Sequence, residues 1–234
     1  CDGWIDEDSV SSAIDDGAVL IFTEMQINPH SLGFEGTREW FEVTNVGSET
    51  LYLDNWRFRN CKTETDCTMF TVDPDQDVVV AAGETLLFCW YDVMIEPTLG
   101  GVTCDYSYGA TSDSSVGGDY YESGFRLRNS DRSALSTEFG GELIGGEWVG
   151  AVAVDDVDHR EWSSILSTTG VNEGYALMFN QDYFTDTDAD VLNDDGVYWC
   201  HTKNTAYLYE TVAGVGSNHG TPGAINPTCA DAAP

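Results

Sequence analysis

TREWFEVTNVGSETLYLDNWRF, residues 37–58, is the stretch whose reading decides the fold. Read with a period of two, Phe41 and Val43 fall on one face and Trp40, Glu42 and Thr44 on the other, as in a half-buried strand. Asn45-Val46-Gly47-Ser48 is a turn sequence, and Leu51 and Leu53 resume the alternation, so the stretch reads as a β-hairpin. Trp56 and Phe58 then lie on the opposite parity from Leu51 and Leu53. A bend or bulge at Asp54-Asn55 is therefore required to return them to the core, and such a corner belongs in a sandwich.

Outward from this stretch the same short, β-rich pattern continues. Residues 19–27 read as a first strand that Asn28-Pro29 ends. Met69 to Val72 and Asp77 to Ala81 read as short strands around Asp73-Pro74, and Glu84 to Tyr91 as a long buried strand after the turn at Gly83. Residues 92–123, rich in Gly, Ser and Tyr, read as an insertion. Phe125 to Arg128 alternates apolar residues with Arg, while Glu147 to Val154 and Tyr175 to Phe179 continue the sheets. A helical turn is expected around Glu161 to Leu166. The 24 glycines and the 12% aromatic content fit an all-β chain. There is no internal repeat and no apolar run of membrane-spanning length.

Several segments resemble lamin-tail domains. EWFEVTN (39–45) and LDNWRF (53–58) are similar to that family's E-W-x-E-L-x-N and L-S-G-W-x-L; LIFTEMQINP (20–29) is similar to its opening strand I-x-I-N-E-x-x-x-N-P. VVVAAGETL (78–86) resembles its L-x-P-G turn, LRNSD (127–131) its L-x-N-x-G-D hairpin, and GTPGAIN (220–226) its terminal G-T-P-G-x-x-N. The resemblance follows the family's order from about Val19 to Asn226. It implies an immunoglobulin-like antiparallel β-sandwich, enlarged by the insertion near 92–123, with Ile21, Phe41, Val43, Leu53, Trp56, Leu86, Phe88, Leu127 and Leu177 in the core. The expected organisation is an acidic N-terminal tether (1–18), one domain (19–229) and a short tail (230–234). In that family the domain accompanies secreted enzymes without carrying their active sites, or serves as an interaction module.

Forty-one acidic residues against nine basic ones give a formal charge of -32. This excludes a nucleic-acid surface, because phosphate contacts need clustered Lys and Arg; Arg57, Arg59, Arg126 and Arg128 make at most one exposed stripe. A solvated acidic face, bound divalent cations and a saline habitat all remain as readings of the charge. The seven cysteines place the chain in an oxidising, extracellular setting. Preference for short loops pairs Cys61 with Cys67, Cys89 with Cys104 and Cys200 with Cys229. Cys1 is left over. A cysteine at position 1 resembles the lipid-bearing residue of a mature bacterial lipoprotein, with the polar segment Asp2 to Gly17 as its tether; an intermolecular disulfide is the competing reading.

TDTDADVLNDDG, residues 185–196, holds Asp186, Asp188 and Asp190 in the D-x-D-x-D spacing by which one loop points several carboxylates at a Ca²⁺, with Asp194 or Asp195 as a further ligand. Val191 stands where an EF-hand has its turn glycine and Val197 where it has its bidentate Glu, so a merely acidic loop is the alternative. Asp155 to Asp158 is a second acidic candidate. No nucleophile elbow, H-E-x-x-H or phosphate-binding glycine loop occurs, and His30, His159, His201 and His219 lie apart, as turn or surface residues. The expectation is a non-enzymatic, extracellular structural protein of the bacterial cell surface that assembles with copies of itself as a filament, sheet or tube, joined to a membrane only through a lipid on Cys1. The alternatives are an adhesin-like module binding a glycan, protein or mineral surface through Tyr106, Tyr108, Tyr120 and Tyr121, and an accessory subunit of a secreted hydrolase.

Overall fold

Period-two alternation carries the chain through sixteen strands, which a computed structural model places in residues 19–31, 38–63, 66–90, 102–108, 125, 127, 134–144, 147–162 and 166–234. Cys1, the tether, most of the expected insertion with Tyr120 and Tyr121, and both Arg126 and Arg128 lie outside the described residues. The strands are β1 (Leu20–Gln26), β2 (Trp40–Asn45), β3 (Leu51–Tyr52), β4 (Arg57–Thr63), β5 (Asp66–Thr71), β6 (Val79–Val80), β7 (Thr85–Cys89) and β8 (Tyr106–Ser107). They continue with β9 (Ala134–Phe139), β10 (Glu142–Ile144), β11 (Glu147–Val149), β12 (Val152–Asp158), β13 (Leu177–Phe179), β14 (Trp199–His201), β15 (Leu208–Val212) and β16 (Gly216–His219).

A larger sheet, ordered β14-β13-β1-β2-β7-β8, faces a smaller one, ordered β12-β9-β4-β5. All their pairings are antiparallel except β7 with β8. The protein is an all-β sandwich. Inward side chains of β2 and β7 meet those of β4 and β5 as an aromatic core: Phe41 stacks on Phe88 at 5.1 Å, Phe58 lies 4.8 Å from Phe88, and Phe70 lies 4.8 Å from Phe125. Tilted and edge-on pairs of this kind each add about 0.5–1.5 kcal/mol beyond burial. All nine core residues expected from the sequence are buried there.

The hairpin reading of 37–58 needs correction. β2 is bonded on one side to β1 and on the other to β7, so no edge remains for β3, which pairs instead with β6. Asn45 turns the chain out of the sheet: its amide donates to Glu49 O (2.7 Å) and Val80 O (3.1 Å), while its Oδ1 accepts Gly47 N. The expected corner is present, with Asn55 in the left-handed region at φ 62. Two further corrections concern exposure. Arg57 is buried and donates to Glu138 (2.9 Å) and Gly140 O, so it is not part of an exposed stripe. Tyr106 and Tyr108, expected on a binding surface, are 1% and 3% exposed. Tyr106 forms the edge strand β8 and accepts from Asp73 N, and Tyr108 donates to Glu39 O. The acidic run 155–158 lies in strand β12, and a helical turn stands at His159–Trp162; of the turn expected around 161–166, residues 163–165 lie outside the described residues.

Candidate functional site

The outer face of the larger sheet carries Glu24 and Gln26 from β1 and Trp40, Glu42 and Thr44 from β2, because Met25, Phe41 and Val43 take the inner one. Glu24 and Glu42 are direct cross-strand partners, and both are wholly buried. They are covered by the segment 220–226. Thr221 donates its backbone N–H (3.1 Å) and its hydroxyl (2.7 Å) to Glu24, and Gly223 N donates to Glu42 Oε1 at 2.5 Å. Asn226 donates to Thr23 O (2.6 Å) and Phe179 O (3.2 Å), crossing from β1 to β13. The hairpin β15–β16 extends the cover: Glu210 pairs with Arg38, Asn218 clamps the backbone of His30 from both sides, and Trp40 donates to Tyr209. We call 220–226 the strap.

Like charges held face to face in a dry sheet resist ionisation. Burial, opposed by the Thr221 and Thr202 donors, raises Glu24 to about 7. Glu42 is raised well above the usual carboxylate range, first by burial and then by Glu24, and its Oε2 is buried with no hydrogen-bond partner. Asp105 is raised by burial and by Glu84 although it accepts Leu87 N at 2.7 Å. Beside it, an open depression of about 560 Å³ is lined by Glu84, Thr85, Val102, Asp105, Gly223 and Ile225, among others.

The structure distributes the aspartates of 185–196 among different tasks. Asp186 Oδ1 accepts Asp188 N (3.2 Å), Asp188 precedes a helical turn at Ala189–Leu192, and Asp195 Oδ1 accepts Val197 N (3.0 Å). Asp194 is exposed at the surface, yet it is raised to about 7, first by partial desolvation and then by Asp156 and Asp190. The two acidic runs therefore meet, and the reason lies in β1. On β1, strand β13 pairs with Glu24 and Met25; beyond it Phe22 N donates to Asp155 Oδ2 (2.7 Å), and Asn193 donates to the same oxygen (3.0 Å) and to Phe22 O (3.3 Å). Asp155 is pushed well above its usual value by this burial. Among the described residues no three Asp, Glu, His or Cys side chains already converge as a metal cage. A Ca²⁺ at this loop would have to draw Asp190, Asp194 and Asp156 together.

All three disulfides expected from the sequence are present: Cys61–Cys67, Cys89–Cys104 and Cys200–Cys229. They mark an oxidising environment. Among the described residues no helix is long and apolar enough to cross a membrane. The histidines are less exposed than expected: His159 and His219 are buried, His159 bonded to Leu166 O, while His30 and His201 are half-buried, His201 lowered to about 4 by burial, Lys203 and His159, and His30 packed against Gly174 and Gly216. Sequence reasoning gave no role to Glu24, Glu42, Thr221 or Asn226. The signal was there, since all four lie in quoted lamin-tail-like segments, and the structure brings those segments together. Searches of protein-family models and of curated proteins found no match. The likeness to lamin-tail domains therefore rests on the motifs alone.

Proposed function

We propose that the protein is a non-catalytic, extracellular structural module of a bacterial cell surface, lamin-tail-like in build, that packs with copies of itself. The observation that carries this reading is the closure of the larger sheet. Its inner face is filled by the core and its outer face by the chain's own C-terminal segment, so contact falls to strand edges and loops. Among the described residues β5 has a ladder partner on one side only, and Tyr52 and Val79, cross-strand partners on β3–β6, stand exposed. Copies carrying -32 each repel one another, so packing requires salt or a divalent cation to screen that charge.

A second reading, a calcium-stabilised adhesin-like module, is favoured by the tail. The tail 230–234 stays on its own body: Ala232 is buried, and its carbonyl accepts Lys203 N and Asn204 N. Electron microscopy of native surface material, with sedimentation at low salt, high salt and added Ca²⁺, separates the two. Polymers under the screened conditions support the structural module. A monomer under all of them discards it in favour of the binding module.

A further inference from the structure

Two fully buried carboxylates on adjacent strands, opposed in register, constitute an unusual choice for a sheet interior, where unpaired buried charge is costly. Among the described residues no cation faces the pair. From β7 the neighbour opposite Glu42 is Leu87; the charge bearing on Glu42 from beside β8 is Asp105, also acidic. From β15, Tyr209 bears on Glu24, and Arg38, which bears on Tyr209, is engaged by Glu210. From the loop after β14 comes the neutral Thr202, and from the strap come only neutral donors, Thr221 and Gly223. Glu42 Oε2, buried without a donor, is the oxygen least able to bear charge.

We propose that Glu24 and Glu42 form a proton-dependent latch: while both carboxyls hold their protons, the strap 220–226 lies sealed on the larger sheet, and loss of the first proton loosens it. The titration belongs to the pair: the first proton leaves mainly from Glu24, and Glu42 keeps the second. Because the strap supplies hydrogen bonds to both carboxylates and Gly220 packs directly on Trp40, loosening exposes the pair and offers the new charge to water. The sign follows from linkage. Each group binds its proton more tightly folded than unfolded, so stability is greatest below about 4.5, declines as pH rises through the folded value, about 7 for Glu24, and stays low above it. The latch is closed in acid and weakest in mild alkali, whichever partner the protein meets.

Hydrogen exchange of 220–226, corrected for intrinsic rates, tests this in the wild type and in Glu24→Gln. In the wild type the opening constant should rise about tenfold between pH about 6 and about 8, as expected for a group titrating at about 7. In Glu24→Gln, which keeps the shape and cannot ionise, the rise should be largely lost, while the general alkaline slope from the other acidic residues persists in both. Parallel pH profiles for the two proteins overturn the proposal. Carboxyl-labelled glutamate in the wild type reads the proton without any variant, should Glu24→Gln not fold. At least one Glu titrating near 7 or above supports the latch; all of them titrating near the ordinary value of about 4.3 overturns it.

Discussion

Gly220 has no room for a side chain: a Cβ there would stand 2.8 Å from the Trp40 ring and 3.0 Å from the Glu24 carboxylate. Glycine is thus required by contact, and its φ plays no part. Gly220→Ala should destabilise by about 1–3 kcal/mol, as overpacking does, and should lower protection in 220–226 more than in β4. Phe41, ringed by Phe22, Phe58, Phe70, Phe88 and Tyr108, should cost about 3–5 kcal/mol as Phe41→Ala, and Phe41→Asp should not fold. Chemical denaturation checks both. At this scale the apolar residues were legible, because burial follows alternation. The buried acids were not, since Glu24 and Glu42 have the same letters as the solvated carboxylates around them. Tyr106 and Tyr108 misled for a related reason: a Gly- and Ser-rich context reads as surface, and only the disulfide Cys89–Cys104 and the parallel pairing of β8 draw them inward.

At the scale of elements, period two identifies a strand without naming its neighbour. Residues 40–45 were legible as β2 and the corner at 54–55 as a corner, yet the partner of β3 depended on which edges β2 had already filled. The acidic loop is a second case. Its spacing was visible, but its coupling to β12 depends on Asn193 and Asp155 occupying the stretch of β1 that β13 leaves unpaired. Asn193→Ala should cost about 1–3 kcal/mol by leaving Asp155 and Phe22 O short of a donor. If the loop takes Ca²⁺, added Ca²⁺ should raise the melting temperature, and more so at pH about 8 than at about 6, because Asp194 must give up its proton near 7 to become a ligand. An unchanged melting temperature with Ca²⁺ and with chelator leaves the loop merely acidic.

For the whole molecule, covalent closure offsets what a crowded negative charge costs. The three disulfides span 6, 15 and 29 residues, and loop-closure entropy assigns them from about 2 to about 3.5 kcal/mol in that order. Cys200–Cys229 fastens the segment that follows the strap, so its removal should cost most, and reduction should lower the melting temperature further at low salt, where the charge is least screened. A larger loss from the Cys61–Cys67 variant would contradict this order. The strap also bears on how the chain comes to be folded. Thr221 lies 197 residues beyond the Glu24 it seals, so a chain made in sequence presents β1 long before its cover exists. Closure waits on the latest-arriving contacts, which makes folding slow and leaves the nascent chain open until the strap is made.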